Sequence, residues 1–495
     1  MLRRLLAAAT ARGLLPRLSE SERQALAAGT VWADGELFSG RPDLAALARA
    51  PWPELTAAER AFLDGPVEEV CRLVDPWRLA SERELPPEAW ALLRRHRFFG
   101  LALPREHGGH GFSAFAQSSV YAKLASRSLT LSVVVLIPNS VGPGELLLAH
   151  GTPEQRRRWL PWLAAGDEIP CFALTEPGAG SDAAAIASRG VVFRGEGGRP
   201  AIRLDFEKRY VTLAPLATLI GLAVRLEDPE ELLGRGTAPG ITLVLVEASR
   251  PGVEIGRRHD PMGLPFPNGP LRGRGVVVGV DAIVGGAAGA GGGWRMLMEA
   301  LSGGRAVSLP AQAVGGAETV ARVAGAYAAV REQFGTPIAR FEGIEEPLAR
   351  IAGRAYAMEA ARVLTCGALD AGERPAVVSA LVKLRATELA RRVAADGYDV
   401  LAGAALMRGP SNPLLDAWAA APIGITVEGA NVLTRTLIVF GQGAVRSHPW
   451  LGRAMAAAEG GDGGGLARAL AGWGWSFARN LARAALLSAT GGRLA

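Results

Sequence analysis

The spacing of apolar and polar positions changes twice along the chain. Between about residues 19 and 166, apolar residues recur at helical intervals, and Pro or Gly separates one run from the next. From about 169 to 283, short β-branched runs such as 240–247 lie between Gly and Pro, which is typical of strands. After the glycine-rich stretch 285–293, helical spacing returns in four long segments, at about 294–332, 342–371, 374–403 and 412–440.

This pattern predicts an α+β fold with an N-terminal helical domain, a middle β-barrel or sandwich domain and a C-terminal four-helix bundle. The length of 495 residues agrees with two to four structural units, at roughly 100–200 residues per domain. The predicted boundaries are an N-terminal extension over 1–78, the helical domain over 79–167, the β domain over 168–284, the bundle over 285–447 and a C-terminal tail over 448–495.

The amino-acid composition narrows the possible functions but does not identify one. The three cysteines lie far apart and the six histidines are scattered, so no metal site or disulfide framework is expected. A formal charge of +6 and a pI near 9.6 suit nucleic acid, anionic lipid or a phosphorylated cofactor equally. No segment has the ~18–20 uninterrupted apolar residues of a membrane span. Residues 1–19 carry arginines and no acid, so a basic amphipathic lead-in, a transit-like segment and an ordinary surface helix all remain open.

One carboxylate, Glu428, stands alone in the uncharged run 422–434. Gly429 follows it and leaves room for a ligand beside the backbone because it lacks a Cβ. Apolar surroundings raise the pKa of a carboxyl, which suits a proton acceptor working near neutral pH. The alternative is an acid at the start of a helix, stabilised by the helix dipole.

A second chemical signal, Leu-Thr-Glu-Pro-Gly-Ala-Gly-Ser-Asp at 174–182, opens the β region. Its glycines have the spacing of a dinucleotide-binding fingerprint, which also requires a helix directly afterwards. Residues 186–195 have strand and turn character instead, so we reject that interpretation. What remains is a turn whose hydroxyls, on Thr175 and Ser181, can donate to an anionic or heteroaromatic ligand. A plain structural turn is the alternative.

Three motifs in the expected order resemble the acyl-CoA dehydrogenase family, and in particular the long bacterial branch that serves fatty-acid β-oxidation. They are the 174–182 segment, Val-Arg-Glu-Gln-Phe-Gly-Thr-Pro-Ile at 330–338 and Val-Glu-Gly-Ala-Asn at 427–431. The resemblance covers roughly 80–470 and implies the three-domain fold of that family. It also implies non-covalent FAD and a homodimer or homotetramer with shared cofactor sites. Members of the branch usually carry further N- and C-terminal segments, so a short or truncated form is expected.

The resemblance implies a role for each matched residue. Glu428 would remove the α proton of an acyl-CoA while the β hydrogen leaves as hydride to the flavin. The residue before Arg305, where some relatives carry the base, is Gly304, so Glu428 is the expected base. The other implied roles are the flavin pocket for Leu174, Thr175, Ser181, Tyr210 and Thr212, the substrate for Ser181 and Arg305, and the neighbouring subunit's FAD for Arg331 and Phe334.

Some positions depart from the family pattern. Ala430 replaces a Thr that contacts the flavin, and Glu342 replaces a common Gln. The segment 399–403 replaces one that contacts the partner's cofactor and brings in Asp399, and an acid near a pyrophosphate is unfavourable by Coulomb's law. The contacts to a shared FAD are therefore expected to differ in detail.

The expected function is FAD-dependent dehydrogenation of medium- to long-chain acyl-CoA to trans-2-enoyl-CoA, with electrons passing to electron-transferring flavoprotein. The expected location is cytoplasmic. Peripheral contact at the inner face of the membrane is open, because the tail 465–488 has arginines and aromatics but no acid. Packing against other helices is the alternative for that tail. Two other functions remain: a nucleic-acid-binding stress protein of the same fold, and a catalytically weak, membrane-docked assembly subunit. No nucleic-acid partner is expected, because no Lys/Arg-rich domain is appended to the family motifs.

Overall fold

The structure is a computed structural model that describes residues 19–50, 52–140 and 142–493. The basic segment 1–18, with the alternatives left open for it, lies outside the described residues. The order of elements in the described chain is helices, a sheet, then helices, which confirms the predicted α+β class.

The N-terminal part is built from short helices whose ends follow ordinary capping chemistry. Before one of them, the Thr152 hydroxyl accepts from the Gln155 N–H, the Gln155 side chain accepts from the Thr152 N–H, and Pro153 occupies the first helical position. Gln155 also donates to the carbonyls of Asp281 and Ile283 at 2.7 and 2.6 Å, which ties this helix to the β domain. The helices are α1 Glu20–Ala27, α2 Ala33–Ser39, α3 Leu44–Ala48, α4 Ala57–Asp64, α5 Pro66–Leu73, α6 Pro76–Glu82, α7 Pro87–Arg95, α8 Ala114–Arg127, α9 Leu129–Leu136, α10 Pro143–His150 and α11 Pro153–Ala165.

The middle part is a seven-stranded sheet in the order β1-β4-β2-β3-β7-β6, with β5 paired to β4. β4 is parallel to β1 and β2, and the other pairs are antiparallel. The β3–β7 register shifts between Lys208 and Val211, and within that irregularity Tyr210 has a φ of 56°. The strands are β1 Pro170–Ala173, β2 Arg189–Arg194, β3 Pro200–Thr212, β4 Leu219–Glu227, β5 Gly240–Glu247, β6 Val253–Ile255 and β7 Asn268–Gly279.

The C-terminal part confirms three of the four predicted long helices. They are α12 Gly293–Val330, α13 Glu342–Asp370 and α14 Ala376–Leu401, with the hairpin β8 Glu332–Gln333 and β9 Thr336–Pro337 between the first two. The remaining helices are α15 Gly403–Leu406, α16 Ala417–Thr426, α17 Asn431–Leu433, a π-helix Thr434–Gln442, α18 Gly443–Ser447, α19 Leu451–Glu459 and α20 Gly463–Ala489.

Two C-terminal predictions were wrong in detail. The fourth long helix, predicted over 412–440, is interrupted after Thr426, because Glu428 and Gly429 have φ values of 53° and 87° that a right-handed helix cannot contain. The Gly-rich run 459–465 has the composition of a flexible linker, but it forms only a tight turn, since α20 already begins at Gly463 with the Gly465 N–H capped by the Asp462 side chain.

By length and composition, one helical stretch of the described residues, Leu129–His150, is able to cross a membrane. However, 82% of its most apolar window is buried inside the protein, as in a core helix. A second stretch is long and apolar enough only if two segments, Ala417–Thr426 and Asn431–Ser447, are taken together as one broken span. These two segments meet at a bend of 48°.

Candidate active site

A single large cavity of about 1380 Å³ collects most of the predicted site residues. Its walls come from the Gly-rich turn after β1, the end of β3, α12, α14 and the break after α16. The predicted residues that line it are Leu174, Thr175, Ser181, Tyr210, Thr212, Arg305 and Glu428. Segments more than 250 residues apart in sequence therefore meet at one place.

Glu428 lies in the strained break between α16 and α17, and its main chain is held by two cations. Arg305 Nε donates to the Glu428 carbonyl at 3.0 Å, and Lys383 Nζ donates to the Gly429 carbonyl at 2.8 Å. The Thr434 hydroxyl also donates to the Gly429 carbonyl, at 3.1 Å. These bonds fix a left-handed backbone that costs energy for a residue other than glycine. The loop presents the half-buried carboxylate to the cavity in one orientation.

The Glu428 carboxylate has one hydroxyl partner, Ser308 on α12, among the described residues. Ser308 Oγ lies 3.1 Å from Glu428 Oε1 and 3.2 Å from Oε2, and 3.0 Å from the Gly304 carbonyl. A hydroxyl carries one proton, so it donates to one of these acceptors at a time. Ser308 itself is fully buried.

The electrostatics of the site favour a carboxyl that takes up a proton more readily than usual. Burial raises the pKa of Glu428, while the Arg305 charge, the Ser308 hydroxyl and the Lys383 charge act in the opposite direction. Burial lowers the pKa of Lys383 to about 8 and also lowers the pKa of Arg305. A base whose pKa is closer to neutrality is better matched to proton abstraction at physiological pH.

On the sheet side, a buried ion pair fastens the Gly-rich turn to β3. Lys208 Nζ donates to Glu176 Oε1 at 2.6 Å and to the Leu174 carbonyl at 3.1 Å. Glu176 also accepts from the main-chain N–H groups of Ala187 and Ser188. Both charged side chains are buried, and a buried pair that is fully hydrogen-bonded holds its geometry. The turn and the end of β3 are therefore positioned together.

The sheet side offers open space beside the Gly-rich turn and an unpaired buried donor. A Cβ built on Gly178 or Gly180 meets nothing within 4 Å, so the backbone of this turn borders open space. Among the described residues, the buried Nε of Arg209 has no hydrogen-bond partner. Tyr210 is 60% exposed, with the Arg209 guanidinium 4.9 Å from its ring centroid and the His259 ring at 5.3 Å. These features fit a planar heteroaromatic ring with an anionic tail.

Arg331 and Phe334 do not line the cavity. They lie in the β8–β9 hairpin region that follows α12, and the Phe334 ring is 97% exposed. The neighbouring Val330 is 78% exposed. A role in a neighbouring subunit's cofactor site requires residues on an outer surface, and both side chains are exposed. The role itself stays a prediction.

Sequence reasoning missed several residues that hold the site together. Ser308 carries a weak signal, because it follows Arg305 by three residues and shares its helix face. Lys383 directly follows the apolar run 380–382 of α14, but Arg385 lies only two positions further on, so the sequence carries only a weak signal for a buried lysine. The Lys208–Glu176 pair gave no signal, because nothing in the spacing links β3 to the Gly-rich turn.

The chain matches three sequence profiles of known domains. These are the acyl-CoA dehydrogenase N-terminal domain over residues 54–167, the middle domain over 171–276 and the C-terminal domain over 291–441. The butyryl-CoA dehydrogenase structure from Megasphaera elsdenii superimposes with a TM-score of 0.70 at 23% identity, over 79% of this chain and 98% of that one.

Two relatives illustrate the range of similar proteins. "Probable acyl-CoA dehydrogenase FadE10" of Mycobacterium tuberculosis is 32% identical over 360 residues, which are 72% of this chain and 53% of that protein. The chain thus spans about half the length of this relative. The 3-(aryl)acrylate reductase of Clostridium sporogenes is 30% identical over 348 residues, 70% of this chain and 86% of that protein.

Proposed function

The chain belongs to the acyl-CoA dehydrogenase family, whose members bind FAD, and on that premise we propose that it is an FAD-dependent acyl-CoA dehydrogenase. The observation that carries the proposal is the position of Glu428, a carboxylate with a raised pKa on the wall of the cavity that also contains the residues fitted to a flavin. The reaction is α,β-dehydrogenation of an acyl-CoA to a trans-2-enoyl-CoA.

In this reaction Glu428 accepts the α proton of the thioester. The Glu428 main-chain N–H, at the same cavity wall, is the proposed donor to the thioester carbonyl, and such donors stabilise developing negative charge by a few kcal/mol. Ser308 and Arg305 hold the base in place from α12. Leu174, Thr175, Ser181, Tyr210 and Thr212 hold the FAD. When bound, FAD supplies the acceptor for the β hydrogen, which leaves as hydride.

The lining of the cavity along α12 supports a medium- to long-chain acyl group. Apolar residues line the cavity on the C-terminal side of Arg305, as far as Val323, a distance of ~27 Å at 1.5 Å per residue. They recur on one helix face, at Leu309, Ala313, Ala317, Val320 and Val323. Gln312 and Thr319 also line this stretch, but the wall is mostly apolar, which favours a substrate that buries an extended hydrocarbon chain.

The remaining parts of the proposal concern partners. Electrons pass to electron-transferring flavoprotein, and the metabolic role is fatty-acid β-oxidation. The protein forms a homodimer or homotetramer in which Arg331 and Phe334 reach the neighbour's FAD. The exposed apolar surface of Val330, Phe334 and Tyr356, at 78%, 97% and 79% exposure, supports such an assembly.

The protein is proposed to be cytoplasmic and to dock on anionic lipid through α20. One face of α20 is held by the residue before α19 and by the end of α2: Trp450 Nε1 donates to Ser476 Oγ at 2.9 Å, and the Arg479 guanidinium donates to the Ser39 carbonyl at 3.1 Å. The rest of α20 exposes large apolar side chains. Those at least 44% exposed are Leu470, Trp473, Trp475, Phe477, Leu481 and Leu486.

Charge decides which partner this surface fits. The charged residues of α20 are Arg468, Arg479 and Arg483, and it contains no acid. A second copy of the helix would bring like charges together, whereas an anionic bilayer is complementary to both the arginines and the aromatic side chains.

The proposal is tested by the visible spectrum of the purified protein before and after anaerobic palmitoyl-CoA. We expect a flavin spectrum that loses its absorption band when the thioester is added. An intact flavin band after saturation with saturated acyl-CoA thioesters of several lengths contradicts the proposed dehydrogenase activity.

A further inference from the structure

The active-site cavity adjoins a second cavity of about 860 Å³. The walls of this second cavity come from the segment before α4 and from α4, α5, α8, α12 and α13. Ser126 and Arg127, in the last turn of α8, line both cavities. The two spaces are therefore neighbours across the end of α8, and the proposed reaction assigns no group to the second one.

One side of the active-site cavity leads from the proposed base towards this border, between α12 and the α8–α9 wall. Gln312 of α12 donates to the Ser132 hydroxyl at 3.3 Å, and the Thr319 hydroxyl lies 2.8 Å from the Ser126 carbonyl. Both α12 residues line the cavity. From Ser308, which contacts the base, to Thr319, α12 rises ~17 Å at 1.5 Å per residue.

This distance sets the chain length that reaches the border. An extended hydrocarbon advances roughly 1.25 Å per carbon, because C–C bonds are about 1.5 Å long and meet near the tetrahedral angle. A chain of roughly 13 carbons therefore covers the distance along α12. The end of an acyl chain of about 16 carbons passes Thr319 and reaches Ser126 and Arg127.

The border carries positive charge that is not neutralised by a neighbour. Arg127 Nε donates to the Val74 carbonyl at 2.7 Å, and its other two guanidinium nitrogens have no hydrogen-bond or ion-pair partner in the described part of the chain. Arg322, exposed on α12, likewise has no ion pair within the described ranges. Asp75 also lines the active-site cavity, but its carboxylate caps the N-terminus of α6. A free guanidinium is suited to a carboxylate, which it binds through paired hydrogen bonds.

The acids of the second cavity offset only part of its positive charge. Glu68 pairs with Lys123 at 3.0 Å, and Glu359 pairs with the buried Arg362 at 2.7 Å. Burial raises the pKa of Glu318, so this residue opposes an anion less than an exposed acid does. Glu54 is then the remaining acid of the lining, against the arginines without an ion pair among the described residues, which are Arg60, Arg127 and Arg322.

We propose that this border binds a carboxylate at the ω end of a long acyl chain, so that the substrates include thioesters of long α,ω-dicarboxylic acids. The inference rests on the proposed function, because Glu428 acts at the thioester end of the same chain. The hydrocarbon part lies along α12, and the terminal carboxylate lies beside Arg127. A charged end costs little there, since it is paired with a cation instead of being buried alone.

The test compares two thioesters of equal length, hexadecanoyl-CoA and hexadecanedioyl-CoA, which differ in the ω carboxylate. Decanedioyl-CoA is the third substrate, because its chain is too short to reach Arg127. The concentration that half-saturates anaerobic flavin reduction is measured by stopped flow with the full-length holoenzyme. Arg127→Gln and Arg322→Gln remove the two charges separately, and Arg127→Lys keeps a charge. Arg157→Gln is the matched control, since Arg157 is 69% exposed on α11 and lines neither cavity.

We expect Arg127→Gln to raise the half-saturating concentration of hexadecanedioyl-CoA about 3- to 10-fold, between the effect of an exposed ion pair and that of a hydrogen bond to a charged group. Arg127→Lys should raise it less. Arg322→Gln should act in the same direction, and it leaves the bond between Arg127 and Val74 intact. The values for hexadecanoyl-CoA and decanedioyl-CoA should not change, and Arg157→Gln should change none of the three.

Equal changes for hexadecanoyl-CoA and hexadecanedioyl-CoA, or no change in either glutamine variant, overturn the inference and leave the proposed function standing. The same holds if hexadecanoyl-CoA reduces the wild-type flavin and hexadecanedioyl-CoA does not. If none of the three thioesters reduces the flavin, the proposed function falls and the inference falls with it.

Discussion

The hydroxyl of Ser308 lies within hydrogen-bond distance of both carboxylate oxygens of Glu428, at 3.1 and 3.2 Å. The two residues are 120 positions apart, and they meet because α12 and the break after α16 share one cavity wall. The position of the proposed base is therefore set by α12 as well as by its own loop.

Ser308→Ala should raise the pH at which the flavin is reduced. The hydroxyl stabilises the ionised form of Glu428, so its loss raises the pKa of Glu428 further. A hydrogen bond to a charged group contributes about 1.5–3 kcal/mol, so the midpoint of the pH–rate profile should rise measurably. Stopped-flow flavin reduction measures it.

The matched control is Ser379→Ala. Ser379 is also fully buried, and its hydroxyl has no partner among the described residues. An unchanged pH profile in Ser308→Ala, or an equal shift in the control, argues against a positioning role for Ser308.

Glu428→Gln should retain FAD and acyl-CoA binding and lose flavin reduction. The amide keeps the shape of the side chain but cannot accept the α proton, and loss of a general base costs ~10²–10⁴-fold in rate. Glu318→Gln on α12 is a suitable control, because burial also raises the pKa of Glu318 but that residue does not line the active-site cavity. Near-normal reduction in Glu428→Gln would assign the base to another residue.

Arg331→Ala should purify largely without cofactor and recover its yellow colour in excess FAD. A guanidinium binds a pyrophosphate through paired hydrogen bonds, which alanine cannot replace. The ratio of flavin to protein absorbance after dialysis measures occupancy. Arg340→Ala, another exposed arginine just beyond the hairpin, should stay yellow. Full occupancy in Arg331→Ala is incompatible with its predicted role.

Lys383→Met should change how stability depends on pH. Burial lowers the pKa of folded Lys383 to about 8 from 10.5, so the folded state binds fewer protons than the unfolded state between these values. The contribution of Lys383 to the free energy of unfolding therefore rises as the pH increases from 8 towards 10.5. The Tm advantage of the wild type over Lys383→Met should widen across this window. A constant or shrinking difference contradicts a buried lysine with a lowered pKa.

The double variant Trp473→Ser, Phe477→Ser should lose binding to anionic vesicles. Burial of two aromatic side chains in the interface contributes much of the affinity of a helix with only three arginines. Co-sedimentation at low salt measures binding, with neutral vesicles and the exposed Trp162→Ser as controls. If the wild-type protein stays in the supernatant with anionic vesicles, α20 is a packing surface.

The repeating parts of the fold were predictable from sequence, because each depends on local spacing. Helical periodicity located α12, α13 and α14, and Thr152 followed by Pro153, an N-cap residue before a proline at the first helical position, is a sequence signature for the start of α11. The motif resemblance placed seven candidate residues that the structure brings to one cavity.

Other features were not predictable, because they depend on contacts between distant segments. Left-handed backbone at Glu428 is set by Arg305 and Lys383, which are 123 and 46 residues away from the carbonyls they bind. Hydrogen bonds between distant residues leave no signal in the local sequence. The periodic apolar spacing of 412–440 therefore incorrectly predicted an unbroken helix. The second cavity beside α8 was missed for the same reason.

The open space beside Gly304 has a consequence for how this site can evolve. A Cβ built on Gly304 meets nothing within 4 Å, and the residue precedes Arg305 on the helix that already holds Glu428. A chain carrying both Gly304→Glu and Glu428→Gly would move the acid from a strained loop to an unstrained helix, and glycine would adopt the φ of 53° without penalty. Two reciprocal substitutions would thus move the proposed base from the loop to the helix. The position of the proposed base can therefore change during evolution while the fold is kept. Two relatives that differ in this position need not be distantly related.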